Sequence, residues 1–444
     1  MTDLATSAAM AWAATVTRCP YCDTERSAWW QGAPWHYLAG CVPPAQRPSR
    51  PTPPARPSAR ARSTRTGTSH RDAEILALGR AVKGHRVYGP QATPEALDAA
   101  LALWHHHTGE LSWARPAGDG GGPVPSYPGE VGMARWALMR SRAGATRDPL
   151  EGVDRTRPAW KLARAITSVD DASAEYRADF SWTGGKLAAG EPFATWDVVG
   201  QYLAASRCDV GRGDPVIVEG RELRKWDSRC PGYVQLGAEW TAPDPRVGTL
   251  AAGAWVHTAV ARYLRIDREW DPPFVRGVLW PERYRPLDAW GEPLRKLLAA
   301  LHGDQSLSAR LACVAAKAVY TATLGGMLRS VKYNRVGYQP DTAAAIVATG
   351  WTNSWRAWDK ISDTWWATGA HLFGGRRDTV WVAGTPAAPT GLRISPDEYK
   401  PGTWQLERWG VVDAELAAAH HRGRYIRVNS EIIRANRNRE LEAA

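Results

Sequence analysis

Eleven residues near the middle of the chain read Thr195-Trp196-Asp197-Val198-Val199-Gly200-Gln201-Tyr202-Leu203-Ala204-Ala205. The first half of this run is rich in β-branched and aromatic residues, which favour a strand. The second half consists of small and apolar residues, which favour a helix after the break at Gly200. The segment therefore predicts a strand that carries the Asp197 carboxylate near its end and then turns into a helix bearing Tyr202.

A second segment, 317–325, lies in a predicted helix from Ser308 to Leu328 and reads Lys317-Ala-Val-Tyr320-Thr321-Ala-Thr-Leu-Gly325. Arg310 and Lys317 are seven residues apart, so they fall on nearly the same face of that helix. Two cations on one face suit a triphosphate group. The alternative is a packed helix with two surface cations.

A third segment, from Gly369 to Gly384, predicts a β-hairpin. An apolar strand covers His371 to Phe373, a polar turn covers Gly374 to Arg377, and a second strand begins at Asp378. Short apolar runs on either side of a Gly-rich polar turn are typical of hairpins. The order of the three segments is a strand with a carboxylate, then a helix with cations, then a hairpin with a second carboxylate.

In this order the segments resemble three motifs of family-B DNA polymerases. Asp197 and Tyr202 match the first palm motif, DxxSLYPS, and Lys317 and Gly325 match the fingers motif, KxxxNSxYG. Asp378 matches the second Asp of the palm hairpin, YxDTDS, when the second strand is kept in frame. More loosely, the chain from about Tyr176 to Gly410 resembles actinobacterial polymerase-like proteins that are associated with telomeres of linear replicons and with mobile elements.

The resemblance implies a DNA-dependent nucleotidyltransferase that uses two metal ions, Mg²⁺ or Mn²⁺. Asp197 and Asp378 would be the catalytic metal ligands, and Tyr202 would lie beneath the sugar. Further nucleotide contacts would come from the predicted fingers helix, through Arg310, Lys317, Thr321 and Gly325. The implied partners are DNA, deoxynucleoside triphosphates and a priming or terminal protein, as in the replication of a mobile element or linear replicon.

The chain departs from these motifs at several positions. Gly200 and Leu203 stand in place of Ser and Pro in the first motif, Thr321 replaces Asn in the second, and Arg376 replaces the first Asp of the third. If Asp378 is matched instead to that first Asp, the second Asp is lost to Val380. A non-catalytic DNA-binding or telomere-associated protein with a degenerate polymerase scaffold is therefore the alternative function.

Near the N-terminus, Cys19, Cys22, His36 and Cys41 form a local set of metal-ligand residues. Four nitrogen and sulfur ligands suit a tetrahedral zinc site, and a short segment with little core needs such a crosslink. The alternative is an unstructured leader with a chance Cys-x-x-Cys pair. A zinc-containing DNA-binding regulator is a third possible function.

The chain of 444 residues has 56 Lys and Arg against 45 Asp and Glu, a net charge of +11. This balance favours a polyanionic partner such as nucleic acid. Six Cys do not describe a disulfide scaffold, and no apolar span reaches the length of a membrane helix. With no secretory signal in the sequence, the expected location is the cytoplasm.

Composition and periodicity divide the chain into four parts: a possible zinc module (1–41), a disordered basic Pro/Arg-rich linker (42–70), a helical region (71–165) and a polymerase-like palm and fingers (166–444). Asp72 to His107 reads as one apolar-faced helix, and three adjacent histidines, His105 to His107, favour a polar helix end over a metal site. Strands interrupted by a long helical insertion predict the α+β class. The expected strands are Ala194–Val199, Val216–Val218, Tyr233–Leu236, Gly253–His257, His371–Phe373 and Thr379–Val382, and the expected later helices are Leu294–Leu301, Ser308–Leu328 and Pro340–Lys360.

Overall fold

A computed structural model describes residues 29–30, 33–34, 69–85, 87–109, 111–117, 122–142, 156–167, 176–177, 181–183, 185–226, 229–244, 246–327, 339–376, 379–385, 388–394 and 401–421. The chain divides into two compact units, Met1–Gly67 and Thr68–Ala444. In the first unit, strands β1 (Trp29–Trp30) and β2 (Ala33–Pro34) pair antiparallel. The four proposed zinc ligands lie outside the described residues.

The second unit mixes helices and strands. Its helices are α1 (His70–Val82), α2 (Pro94–Thr108), α3 (Pro128–Arg142), α4 (Pro158–Thr167), α5 (Gln201–Ala205), α6 (Gly220–Arg224), α7 (Thr258–Arg262, continued by a π-turn at Tyr263–Asp267), α8 (Pro286–Ala300), α9 (Leu307–Met327), α10 (Pro340–Trp358), α11 (Asp363–Trp366) and α12 (Ala414–His421). A short 3₁₀ turn, Gly89–Gln91, precedes α2.

The strands of the second unit form two larger sheets and several short pairs. In chain order they are β3 (Ala114–Arg115), β4 (Val124–Pro125), β5 (Tyr176–Arg177), β6 (Ser181–Thr183), β7 (Pro192–Val198), β8 (Val210–Arg212), β9 (Val216–Glu219), β10 (Gly232–Leu236), β11 (Trp240–Thr241), β12 (Thr249–Leu250), β13 (Trp255–His257), β14 (Phe274–Leu279), β15 (Glu282–Tyr284), β16 (His371–Arg376), β17 (Thr379–Ala383) and β18 (Trp404–Val411). The two five-stranded sheets have the orders β18–β7–β17–β16–β6 and β5–β13–β10–β14–β9.

The prediction of one helix from Asp72 to His107 is wrong, because two helices occupy this range. α1 ends at Val82, and α2 begins at Pro94 after the cap residue Thr93, whose hydroxyl accepts from the Ala96 backbone N–H at 3.2 Å. A capping Thr followed by Pro is a helix start, since Pro lacks the N–H that a position inside a helix must donate. The apolar pattern on both sides of the break belongs to two helices that pack together.

The three histidines lie in the last turn of α2, at the helix end expected from the sequence. His105 Nε2 lies 3.1 Å from the Glu74 carboxylate, which also accepts from the Ser112 hydroxyl at 2.7 Å and the Trp113 backbone N–H at 2.9 Å. Burial opposes the charge of Glu74, but these three contacts outweigh it and hold the pKa of Glu74 at about 2. The cluster ties α1 to the end of α2.

Helices α1, α2, α3, α8 and α9 share one hydrophobic core, with Leu101, Trp104 and Leu311 fully enclosed. The long helix α9 contacts α1, α2 and α3, so most of its circumference is covered. Its closest approach to α3 is at Gly132, where an added Cβ would lie 1.8 Å from the Thr323 hydroxyl oxygen. Only glycine fits there, because the Thr323 hydroxyl occupies the space that a side chain would need.

Helix α10 packs within a second core that includes residues of both five-stranded sheets. Trp351 and Trp355 of α10 meet Val234 of one sheet and Val380 of the other in this core. An added Cβ at Gly375 of β16 would lie 3.4 Å from the Trp355 ring, so the hairpin strand rests on that indole. The position of the hairpin therefore depends on α10.

A cluster of partly buried charges fixes the C-terminal end of α10. The Asp359 carboxylate accepts from Arg246 and from the Tyr263 hydroxyl, each at 2.8 Å, and forms an ion pair with Arg268 at 3.0 Å. Arg246 also bonds Asp244, and its guanidinium stacks 4.6 Å above the centroid of the Trp355 ring. Because the Arg246 and Asp244 side chains are each 13% exposed, these charges stabilise the structure mainly by satisfying one another.

The observed elements agree with most of the expected ones and differ at specific ends. The first hairpin strand runs to Arg376, so the expected turn at Gly374 to Arg377 is wrong in its position. Gly374 and Gly375 both pair with the neighbouring strands β17 and β6. Two strands that join the sheets, Phe274–Leu279 and Trp404–Val411, were not expected from the sequence. In the described part of the chain, the search for a helix of the length and apolarity of a membrane span finds none.

Candidate functional site

Asp197 is the next-to-last residue of β7, an interior strand of the sheet β18–β7–β17–β16–β6. Its neighbours in the chain, Trp196 and Val198, are buried, whereas Asp197 itself is only half-buried. Successive side chains of a strand point to opposite faces, so Trp196 and Val198 share the face opposite to Asp197. The local sequence thus places one carboxylate near the end of a buried strand, on the sheet face that Trp196 does not occupy.

The hairpin strand β17 lies directly beside β7, and Thr379 is the residue opposite Asp197. The Thr379 hydroxyl donates to the Asp197 carboxylate at 3.2 Å. Thr379 was not expected from the sequence to be a contact of Asp197. On the other side of β7, Gln405 of β18 lies opposite the same carboxylate.

The hairpin itself is formed by β16 and β17, with Arg376 paired to Thr379. The two residues that connect these strands, Arg377 and Asp378, lie outside the described residues. Arg376 also pairs with Ser181 of β6 through the backbone. The second proposed metal ligand thus follows Arg376 by two residues and precedes Thr379 by one.

After β7 the chain turns sharply into α5. Gly200 caps this helix with a φ of +54° and a ψ of 41°, in the left-handed region that favours glycine. This conformation gives a reason for glycine at the position where the polymerase motif has Ser. Tyr202 of α5 is half-buried and packs against the core that contains α9.

α5 is held in place from the side of α10. The Gln201 amide donates to the Ser354 hydroxyl at 3.2 Å, and an added Cβ at Gly350 would lie 3.1 Å from Gln201. This close approach lets α10 pack against the helix that carries Tyr202. The segment after Asp197 is therefore fixed by contacts that the linear motif does not contain.

The residues expected on the fingers helix share one side of α9. Lys317, Thr321 and Gly325 are all exposed and follow one another at intervals of four residues. Residues at this spacing lie on one face of a helix. α9 also contacts α5, so the helices carrying Lys317 and Tyr202 are neighbours. No hydrogen bond or ion pair joins the Lys317 side chain to another described residue, which leaves its ammonium available to a ligand.

Arg310 is in a different environment from Lys317. It is half-buried, its guanidinium donates to the Tyr88 hydroxyl, and it lies 5.3 Å from the centroid of the Tyr88 ring. The cation is therefore held by the loop that joins α1 to α2. The structure gives Arg310 a structural contact that the sequence did not predict.

The described residues contain no group of three or more His, Cys, Asp or Glu side chains that could hold a metal ion. Mg²⁺ is usually bound by one or two carboxylates together with substrate phosphates, so a larger protein cluster is not required. Asp197 is one hard oxygen ligand of the kind that Mg²⁺ prefers. A second carboxylate at Asp378 would complete the minimal protein set.

No protein-family model and no curated protein matches the chain. Among solved structures, the chain is similar to Phi29 DNA polymerase complexed with single-stranded DNA, with 13% identity and a TM-score of 0.42, over 70% of this chain and 54% of that one. It is also similar to the Phi29 DNA polymerase ternary complex with primer-template DNA and incoming nucleotide, with 12% identity and a TM-score of 0.40, over 63% and 52% of the two chains.

The chain spans about half the length of these polymerases. A likeness at this level carries no conclusion about the chemistry of this chain.

Proposed function

We propose that this protein binds DNA and acts as a DNA-dependent nucleotidyltransferase of the polymerase type. One observation carries the proposal: Thr379 lies opposite Asp197 on the adjacent strand and donates to its carboxylate. Residues paired across antiparallel strands have Cα atoms about 4.5–5.5 Å apart, and consecutive Cα atoms are about 3.8 Å apart. Asp378 is bonded to Thr379, so its position in the chain is one residue from the partner of Asp197.

The proposal requires the Asp378 carboxylate to lie on the same face of the sheet as Asp197, where the two could hold a pair of divalent metal ions. In two-metal sites the ions are about 3.5–4 Å apart, and they activate the attacking hydroxyl and stabilise the leaving group of a phosphoryl transfer. Asp197 and Asp378 would hold Mg²⁺ or Mn²⁺. The Thr379 hydroxyl would orient one oxygen of Asp197.

The other proposed contacts come from the helices beside β7. Lys317 would neutralise the triphosphate of the incoming nucleotide through its unpaired ammonium, and Thr321 and Gly325 extend the same exposed face toward the nucleotide. Arg310 would contribute only after its contact with Tyr88 opens. Tyr202 would pack beneath the sugar. The primer would be either a DNA 3′-hydroxyl or a side-chain hydroxyl of a terminal protein. In the second case the terminal protein would be a partner of this chain.

The test is primer extension with Mg²⁺ or Mn²⁺ on a primed DNA template. We expect Asp197→Asn and Asp378→Asn each to lower the extension rate about a thousandfold, because loss of a metal ligand removes several kcal/mol of transition-state stabilisation. Glu239→Gln is the matched control, since it removes the same charge from an exposed loop residue. Equal activity of all three variants would rule out the two-metal site.

Arg376 favours a second function, in which the chain binds DNA without extending it. It is a cation two residues before Asp378, at the position where the resemblance has a metal-binding Asp. A guanidinium there can replace the charge of one metal ion and bind a phosphate directly. Under this alternative the wild-type chain shows salt-dependent DNA binding but no extension, and deletion of the basic linker 42–70 reduces the salt dependence.

A further inference from the structure

A basic pocket of about 170 Å³ lies apart from the residues of the candidate site. Its lining comes from the segment after α5, the segment before β10, the end of β13 with α7, the residue before α8, and α10. Five arginines line it, namely Arg207, Arg229, Arg262, Arg285 and Arg356. None of Asp197, Tyr202 and Lys317 does so. The linear sequence gave no sign of this site, because the five arginines are distributed over about 150 positions.

The positive charge of the pocket remains after its ion pairs are included. Arg285 and Arg283 bond the lining residue Asp209, at 2.7 and 3.3 Å. Arg356 bonds Asp267 at 2.6 Å, and Arg207 bonds Asp288 at 3.1 Å. Arg262 has no hydrogen bond or ion pair with another described residue and is exposed. The Arg262 guanidinium at the pocket is therefore not neutralised by a carboxylate of the described residues, which favours an anionic ligand.

A buried histidine adds a neutral hydrogen-bond donor to the same pocket. His257 is 4% exposed, and its Nδ1 accepts from the Ala259 backbone N–H at 3.1 Å. Burial lowers the pKa of His257 to about 3, so the ring is neutral at physiological pH. A neutral imidazole that accepts at Nδ1 carries its proton on Nε2. No described residue accepts from Nε2, which leaves that N–H for a ligand in the pocket that the ring lines.

The size of the pocket limits what it can hold. Sites for drug-sized ligands and cofactors usually measure about 300–1,000 Å³. The smaller volume here suits one compact anion rather than a whole nucleotide. Guanidinium groups match the oxygens of phosphate in geometry, and several of them around one anion are typical of phosphate recognition.

We propose that this pocket binds a single phosphate group, held by Arg262 and the Nε2–H of His257. The group comes either from the end of a phosphorylated nucleic-acid strand or from free phosphate. This site does not depend on the nucleotidyltransferase proposal, because it shares no residue with the candidate metal site.

The first experiment titrates the full-length protein with inorganic phosphate in a metal-free buffer and measures heat by calorimetry. We expect Arg262→Ala to weaken binding at least tenfold. Arg265→Ala is the matched control, because it removes the same charge three residues further along the chain at a position that does not line the pocket. Arg262 is exposed and Arg265 is half-buried, and circular dichroism checks that both variants keep the fold.

The second experiment distinguishes the two sources of phosphate. Short DNA strands with a 5′-phosphate, a 3′-phosphate or neither end group compete against bound inorganic phosphate. Competition by a phosphorylated end, lost in Arg262→Ala, assigns the pocket to strand ends, and failure of every strand to displace inorganic phosphate assigns it to the free anion.

Asp197→Ala separates this proposal from the proposed enzymatic function. We expect that variant to bind phosphate as the wild type does. The proposal is overturned if phosphate does not bind, if Arg262→Ala and Arg265→Ala weaken binding equally, or if Asp197→Ala abolishes it.

Discussion

Substitution of Asp359 by Asn tests how the end of α10 is held. Asp359 accepts from Arg246 and Tyr263 at 2.8 Å and pairs with Arg268 at 3.0 Å. Asparagine keeps one acceptor oxygen but removes the charge and turns an amide N–H₂ toward donors. Two guanidinium groups would then share the single carboxylate of Asp244.

The magnitude follows from the burial of this cluster. Removing one partner of a fully buried charge pair typically costs about 3–5 kcal/mol. Here the Asp359 side chain is 17% exposed and that of Arg268 is 29% exposed, so water screens part of the loss. We expect Asp359→Asn to lower the free energy of unfolding by about 2–4 kcal/mol.

Urea unfolding followed by tryptophan fluorescence measures this change, because many of the 24 Trp are buried in the cores and become exposed on unfolding. Asp267→Asn is the matched control. Asp267 bonds Arg356 at 2.6 Å, but both side chains are about a third exposed, at 32% and 31%. An exposed pair of this kind contributes about 1 kcal/mol or less.

A loss in Asp359→Asn no larger than that in Asp267→Asn would refute this account of α10. A double-mutant cycle with Tyr263→Phe adds a second check. If the hydroxyl of Tyr263 stabilises the fold through Asp359, the two substitutions are coupled by about 0.5–1.5 kcal/mol. Additive losses would mean that the hydroxyl acts elsewhere.

Three further predictions concern other parts of the chain. Glu74→Gln should destabilise the protein by about 1–3 kcal/mol at pH 7. The pKa of Glu74 is lowered to about 2 in the folded state, so its contribution to stability is full above the ordinary pKa near 4.5 and is lost as the pH falls toward 2. The unfolding curves of variant and wild type should therefore converge in acid. Gly132→Ala should cost about 1–3 kcal/mol through overpacking against Thr323, and Thr323→Ala in the same chain should restore part of the loss in thermal unfolding. The purified protein should carry about one zinc ion per chain by elemental analysis, and Cys19→Ser with Cys22→Ser should remove it; wild-type protein free of zinc after chelator-free preparation would end that proposal.

Local sequence was sufficient to predict the strands and helices that have a clear apolar periodicity. The strand with Asp197 was expected at Ala194–Val199 and lies at Pro192–Val198, and the fingers-like helix was expected at Ser308–Leu328 and lies at Leu307–Met327. Both have long apolar patterns of a single period. The break between α1 and α2 was missed because the apolar spacing continues across it, although Thr93 and Pro94 carry the start signal of α2.

The neighbours of these elements were beyond local sequence. The order of β7, α9 and the hairpin along the chain suggested that Asp197 and the hairpin form one site. That the Thr379 hydroxyl contacts Asp197, and that Gln405 lies opposite it, follows only from the register of the strands. Register depends on side chains far away in sequence, among them Trp355, which supports β16 from α10.

The sequence by itself determined the strand that carries Asp197 and the long helix that carries Lys317, and it predicted the carboxylates and cations of the candidate site. Only the tertiary structure decided their surroundings. It held Arg310 against Tyr88, left Lys317 unpaired on the open face of α9, and gathered five arginines around His257. Secondary structure follows from periodicity within some ten neighbouring residues, whereas charge, burial and hydrogen-bond partners depend on groups that meet only when distant segments pack together.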